Sequence, residues 1–293
     1  MKNQIYLLEE GMLEILTKLD DLAKRDGINT YRLSVSTEKE IGTVERIPSN
    51  PCQNCYSVAK VFCVTAAGML FDENKLSPDT TVADVFSEEL DRYGIPRKKW
   101  ERVTVDNVLR HEIGFSEGFL DIDTEDITKY SSDDFLFIVL DHALTYEPGE
   151  IRTYSDAAYY LISRMVAKIS GERLDEFLME RLFKKIGCRE VAWSRCPRNY
   201  PVGATGLYLR TEDVVKLGRI YLNGGVWNGE RILSEEWIDL VLKRGYEFSK
   251  RGEGYAKGGM RGQCLYINYV KNIAVAWHSF DLDGKTRAFF EAL

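Results

Sequence analysis

The chain has 293 residues, 44% hydrophobic and 29% charged, with a formal net charge of −7. This is globular composition, long enough for one or two domains around a large core. The excess of acid over base argues against nucleic acid as the main partner, because phosphate binding needs a positive face.

No stretch reaches the roughly 18 apolar residues of a membrane span; the best, Val61–Phe71 and Phe135–Leu140, are too short. Acids interrupt the N-terminal segment from Glu9 onward, so it lacks the apolar region of a signal peptide. A cytoplasmic location is therefore expected. Cys52, Cys55, Cys63, Cys188, Cys196 and Cys264 are then expected to be free thiols in a reducing compartment.

In chain order, Leu8, Met12, Ile15, Leu19 and Leu22 recur at helical spacing and predict an amphipathic helix over 5–25. Tyr31–Ser36 and Ile41–Ile47 predict two strands around the polar turn Ser36–Glu40. From about 57 to 245 the signals are mostly helical. Ser155 or Asp156 can cap a helix running to Ser170, ended by Gly171; Leu174–Ile186 continues as another, stopped by Gly187. Thr211 and Ser234 open two more, each with acids in the first turn. Strand patterns return at Gln263–Asn268 and Ile273–Ser279.

Strands at both chain ends with helices between them predict an α/β fold. One mostly antiparallel sheet is built from both termini, flanked by helices, with a mostly helical subdomain inserted. The boundaries read as 1–65 with 205–293 for the sheet subdomain and 66–204 for the helical one, with the candidate nucleophile near the junction.

Two serine motifs compete. Gly114-Phe115-Ser116-Glu117-Gly118 fits a G-x-S-x-G elbow, which needs a strand before it and a helix after it. Here a helical pattern precedes and an acidic loop, Asp121–Asp134, follows, so the match reads as accidental. His111, His142 and His278 are the three histidines, and each reads as a structural group. Ser57-Val58-Ala59-Lys60 is the second motif. At positions i and i+3 of a helix, Lys60 lies beside the Ser57 hydroxyl near the helix start, where free N–H groups favour a developing anion. The apolar run that follows predicts a partly desolvated Lys60 of lowered pKa, able to deprotonate serine.

Beyond S-x-x-K, four further segments resemble the serine β-lactamase and penicillin-binding-protein superfamily, in its class C-like and esterase-like branch. They are AAGMLFDENKLSPDTTVADVF (66–86), VTVDNVLRHEIGF (103–115), YEPGEIRTYSDAAYYLISRMVAKISGE (146–172) and Lys257-Gly258-Gly259-Met260-Arg261-Gly262-Gln263. The similarity runs from about 45 to 280. It implies a β-lactamase/transpeptidase-like fold and an acyl-enzyme hydrolase needing no metal or organic cofactor. By the same resemblance, Ser57 is the nucleophile, Lys60 its activator, Tyr154 the general base and acid, and Lys257 the second cation. The oxyanion hole would use the backbone N–H groups of Ser57 and Met260. Two ammonium groups beside a tyrosine favour its phenolate, so the set is chemically coherent. Whether lysine or tyrosine takes the serine proton stays open.

Two positions depart from the β-lactam-hydrolysing pattern. Asp156 stands where the family's asparagine donates to the substrate, and an ionised carboxylate only accepts. Gly258 stands where a hydroxyl anchors the substrate carboxylate. A missing donor facing a buried polar group costs about 1–3 kcal/mol. With Gly259 and Arg261, these positions would line the substrate site, Asp156 placing negative charge near a substrate carboxylate. The expected substrate is thus a small neutral ester, amide or peptide-like acyl compound. The alternatives are a β-lactamase or penicillin-binding D-alanyl peptidase, or a catalytically silent member used for binding. Cys52-x-x-Cys55 lacks the further ligands a zinc site requires. The oligomeric state is left open.

Overall fold

The computed structural model of the chain describes residues 10–48 and 50–293. Its N-terminal helix spans Glu10–Arg25; the stretch expected to begin it, residues 5–9, lies outside the described residues. Met12, Leu16 and Leu19 are fully buried, and Ile15 and Leu22 flank them at the edge of the same cluster. Their three- and four-residue spacing puts them on one stripe, and that stripe covers a sheet face.

The sheet has six strands, in the order Ile41–Glu45, Thr30–Ser36, Ile273–Ser279, Cys264–Asn268, Gly254–Gly258 and Ser249–Arg251. Every pairing is antiparallel. The N-terminal hairpin docks on the last strand with Leu33 opposite Trp277 and Val35 opposite Val275. The second hairpin strand ends at Glu45, where the Arg46 guanidinium turns onto Asp20 and the carbonyls of Ile28 and Thr30.

Period-two alternation gives the sheet two apolar faces. Leu33, Val35, Tyr266, Val275 and Trp277 meet the N-terminal helix and Phe289. Leu265, Ile267, Ala274 and Ala276 belong to the larger core on the other side. The Thr211–Leu222 helix packs on that face, and Gly218 sets its approach: a Cβ there would lie 2.8 Å from that of Ala274.

In the large core, every residue from Ala59 to Leu70 of the Ala59–Asp72 helix is buried. A helix that is apolar all round belongs in the centre of a protein. It carries a single lysine there, Lys60, so a buried ammonium must find partners in the fold. The Asp156–Ser170 helix packs against it and ends at Gly171, φ +78°.

The middle of the chain is less uniformly helical than its pattern predicts. Gln53–Asn54, Leu207–Leu209 and Ala192–Trp193 form a second, three-stranded sheet. Strands of two or three residues carry no readable periodicity. The Leu174–Ile186 stretch is also not one regular helix, since Leu174–Leu178 passes into a wider π-type turn over Met179–Phe183. Among the described residues no helix is long and apolar enough to cross a membrane.

Candidate active site

Ser57 sits on a single 3₁₀ turn, Tyr56–Val58, that leads into the buried helix. The turn is held from below. Asn54 Oδ1 accepts from the Tyr56 N–H at 2.8 Å, and the Cys55 N–H donates to the Leu207 carbonyl of the small sheet at 2.8 Å. Tyr56 takes φ +46°, uncommon for a residue with a side chain, so this turn is set by its surroundings.

The i, i+3 relation brings Lys60 Nζ to 3.1 Å from Ser57 Oγ. The same ammonium donates to Asp156 Oδ1 at 2.7 Å and to the Ala204 carbonyl at 2.9 Å. Three acceptors use all three of its donors. Burial works against the charge of Lys60, but Asp156, then Tyr154 and Glu247, outweigh it and raise the pKa well above the usual lysine value. The expected lowering is therefore overturned: the ion pair more than offsets the desolvation. For Asp156 the balance falls the other way. Burial raises its carboxyl pKa and Lys60 offsets only part of that, leaving a more basic carboxylate.

Asp156 is also not a cleft residue. It is buried at the first turn of its helix and turned onto Lys60. The negative charge expected beside a substrate is spent on the lysine.

Tyr154 is 40% exposed, and its hydroxyl donates to Ser57 Oγ at 2.9 Å. Lys257 Nζ, from the Gly254–Gly258 strand, lies 3.4 Å from the same hydroxyl. Ser57 Oγ thus lies between Lys60 and Tyr154, with Lys257 behind Tyr154.

A second layer supports Tyr154. The Lys257 ammonium is ion-paired to Glu247, whose other oxygen is 2.6 Å from His111 Nε2. His111 Nδ1 accepts the Ser155 N–H at 3.2 Å, so Nε2 carries the imidazole proton and donates to Glu247. The His111 ring lies 4.4 Å from the Tyr154 ring, centroid to centroid. Burial pushes the imidazole below its usual pKa, keeping it neutral, although Glu247 pulls the other way. Burial also works against the Glu247 carboxylate, but Lys257 and His111 outweigh it and hold it well below the usual range. His111, expected to be structural, thus bonds Glu247 and the Ser155 backbone and touches the tyrosine ring as well. Sequence reasoning misses Glu247, whose one signal is an acid between two aromatics, Tyr246 and Phe248.

Gly258, Gly259 and Met260 follow Lys257 and, with Arg152 and Arg251, line a cleft of about 870 Å³ whose walls do not include Ser57 or Tyr154. Gly259 packs on the nucleophile's turn: a Cβ there would lie 2.8 Å from the Cys55 carbonyl oxygen. A Cβ at Gly258 would meet its nearest atom only at 3.7 Å, so this position has room. The Arg261 guanidinium lies over the Phe280 ring at 5.7 Å, and the Arg261 backbone N–H donates to Gln263 Oε1.

The other motifs resolve into packing. Ser116 is exposed on a loop, and Gly114 and Gly118 bring that loop against the carbonyls of Tyr146 and Tyr154. His142 stacks on Phe119, and His278 is buried with Nε2 3.8 Å from Cys55 Sγ. All six cysteines are unpaired, and no group of three or more metal-ligating side chains forms among the described residues.

Comparison with known proteins shows the family. The chain is 28% identical over 292 residues to penicillin-binding protein 4 of Amycolatopsis lactamdurans, covering 81% of this chain and 74% of that one. It is 26% identical over 220 residues to the 6-aminohexanoate-dimer hydrolase of Paenarthrobacter ureafaciens, covering 70% of this chain and 54% of that one, about half its length. Among solved structures, a family VIII carboxylesterase superposes with a TM-score of 0.74 at 14% identity, covering 98% of this chain and 99% of that one. Relatives of this fold are serine hydrolases. Residues 53–288 match the Beta-lactamase family, and the chain belongs to that family.

Proposed function

We propose that the protein is a serine hydrolase that forms an acyl-enzyme on Ser57 with a small ester, amide or peptide-like substrate. The observation that carries this reading is the position of Ser57 Oγ, 3.1 Å from Lys60 Nζ and 2.9 Å from the Tyr154 hydroxyl.

The charge state of Lys60 favours Tyr154 as the base. An ammonium that already donates to Ser57 Oγ has no lone pair with which to take its proton. Two cations lie at Tyr154: Lys257 Nζ is 3.4 Å from its hydroxyl, and Lys60 Nζ is 4.8 Å from its ring centre. Once its own hydroxyl proton has passed to solvent, Tyr154 accepts the serine proton while Oγ bonds to the substrate carbonyl carbon. It then returns the proton to the leaving group as the carbonyl–leaving-group bond breaks. Water attacks the acyl-enzyme by the same exchange in reverse order.

The carbonyl oxygen becomes an oxyanion in both steps. The N–H groups of Ser57 and Met260 are its donors in this reading, and neither donates to a backbone carbonyl outside the regular elements among the described residues. Each such donor is worth about 3 kcal/mol in the transition state.

The 6-aminohexanoate-dimer hydrolase and the carboxylesterase support amide and ester substrates by their names. Gly258 supplies no hydroxyl for a substrate carboxylate, and Asp156 supplies no amide, which weighs against a β-lactam. The test is a rate assay of wild type and Ser57→Ala on a p-nitrophenyl ester and a chromogenic cephalosporin. Ester turnover that disappears in Ser57→Ala, with slow or no cephalosporin cleavage, is the expected result. Fast cephalosporin cleavage would restore the β-lactamase reading. Turnover that survives Ser57→Ala would sink the acyl-enzyme.

A further inference from the structure

We infer that Glu247 is a positioning residue for this site, clamping Lys257 and His111 through its two carboxylate oxygens so that Tyr154 is held on both sides. The inference rests on the acyl-enzyme reading above and adds a residue to it.

Three independent observations converge on Glu247. Its side chain and that of His111 are each 1% exposed, so the contact is sealed from water. Each of its oxygens has a different donor: Lys257 Nζ on one, His111 Nε2 on the other. Finally, both Glu247 and His111 have a left-handed backbone, φ +64° and φ +60°. That conformation is unfavourable for residues with side chains. Two strained residues from segments 136 positions apart meet at one hydrogen bond. Backbone strain of this kind persists where the surrounding contacts over-determine it.

The consequence for Tyr154 follows from the partners. Lys257 Nζ is pinned 3.4 Å from the Tyr154 hydroxyl. His111, fixed as the Nε2–H tautomer, presents a bare Nδ1 to the N–H of Ser155, the residue after Tyr154, and lays its ring on the tyrosine ring. One carboxylate thus sets the cation at the hydroxyl and the backbone that carries the ring. The other titratable groups near Glu247 are Tyr159 and, farther off, Lys60 and Cys63.

Glu247→Gln separates this role from shape. A carboxylate accepts on both sides, but an amide accepts on one and donates on the other. The amide of the variant must therefore face a donor with a donor, at Lys257 or at His111. The protein is assayed on a p-nitrophenyl ester across pH, with Ser57 acylation followed by intact mass and folding by thermal melting. The expected result is a cooperatively folded variant with kcat reduced about 100-fold, the cost of a misplaced catalytic group, and KM little changed.

A folded Glu247→Gln with wild-type kcat overturns the inference while leaving the acyl-enzyme intact. A wild type that neither turns over ester nor becomes acylated at Ser57 removes the acyl-enzyme reading, and the inference with it. If Glu247→Gln does not fold, ¹⁵N NMR of wild-type His111 decides. A protonated Nε2 and bare Nδ1 are expected near neutral pH, and a protonated Nδ1 overturns the clamp. His111→Asn is the companion variant. It keeps an acceptor near the Ser155 N–H but cannot reach Glu247, and it should lower kcat by less than Glu247→Gln does; an equal or larger loss overturns the assignment.

Discussion

Replacing Asp156 with asparagine tests the electrostatic centre of this site. The two side chains are nearly the same size, so no cavity opens and the change is one of charge. Asp156 Oδ1 lies 2.7 Å from Lys60 Nζ, with Lys60 fully buried and the Asp156 side chain 9% exposed. At that distance and an effective dielectric of about 20, the attraction is about 6 kcal/mol. Dehydrating the two charges offsets much of it, and breaking such a pair from one side typically costs about 3–5 kcal/mol. Asparagine still offers an acceptor to the lysine, which places the expected loss near the lower end, about 3 kcal/mol. For a chain of this size that corresponds to a melting temperature lower by roughly 6–12 °C.

The pH dependence of that difference also has a sign. The Lys60 pKa is raised in the folded protein, so its contribution is complete below the unfolded lysine value and is lost only as pH rises through the folded one. Across about pH 7 to 9 the Lys60 contribution to wild-type stability should therefore stay nearly constant. Activity should respond differently. Without its principal anion, buried Lys60 loses its proton more easily, so the alkaline limb of ester hydrolysis moves to lower pH. Urea unfolding of both proteins and a pH–rate profile check the two parts. Equal stability within about 0.5 kcal/mol, together with an unmoved limb, would refute the reasoning from this ion pair.

Three further changes probe other parts of the structure. Tyr154→Phe keeps the ring on His111 while removing the hydroxyl, so stability should change by less than about 1 kcal/mol while kcat falls about 10²–10⁴-fold; a rate within threefold of wild type would remove Tyr154 from the proton path. Gly258→Thr should fold normally, since its Cβ would meet nothing nearer than 3.7 Å, and should raise cephalosporin acylation relative to ester turnover in a competition assay. Burial pushes the His278 pKa down to about 4, so folding stability is fully present above the unfolded histidine value and is lost as pH falls. The loss from this group should be about 3 kcal/mol between roughly pH 6.5 and 4. Urea unfolding of His278→Leu should show a shallower acid slope, by one proton, and an unchanged slope would contradict the assignment.

Much of this fold is legible in local spacing. The N-terminal helix, the strands at both ends and the helices opened by Thr211 and Ser234 follow from patterns within a few residues, and so does the placing of Lys60 beside Ser57. How those pieces are charged is set by long-range packing. The anion that keeps Lys60 protonated, Asp156, is 96 residues away, and burial viewed without it pointed to the opposite pKa shift. Tyr154 reaches Ser57 across 97 positions, and its match to a motif located it without saying what holds it. His111 and Glu247 meet across 136 positions, in backbone conformations that neither residue type prefers. The small sheet beneath the nucleophile is built from strands too short to show a period. Periodicity records which face of a segment is buried; the partner that compensates a buried charge is chosen only when distant segments pack.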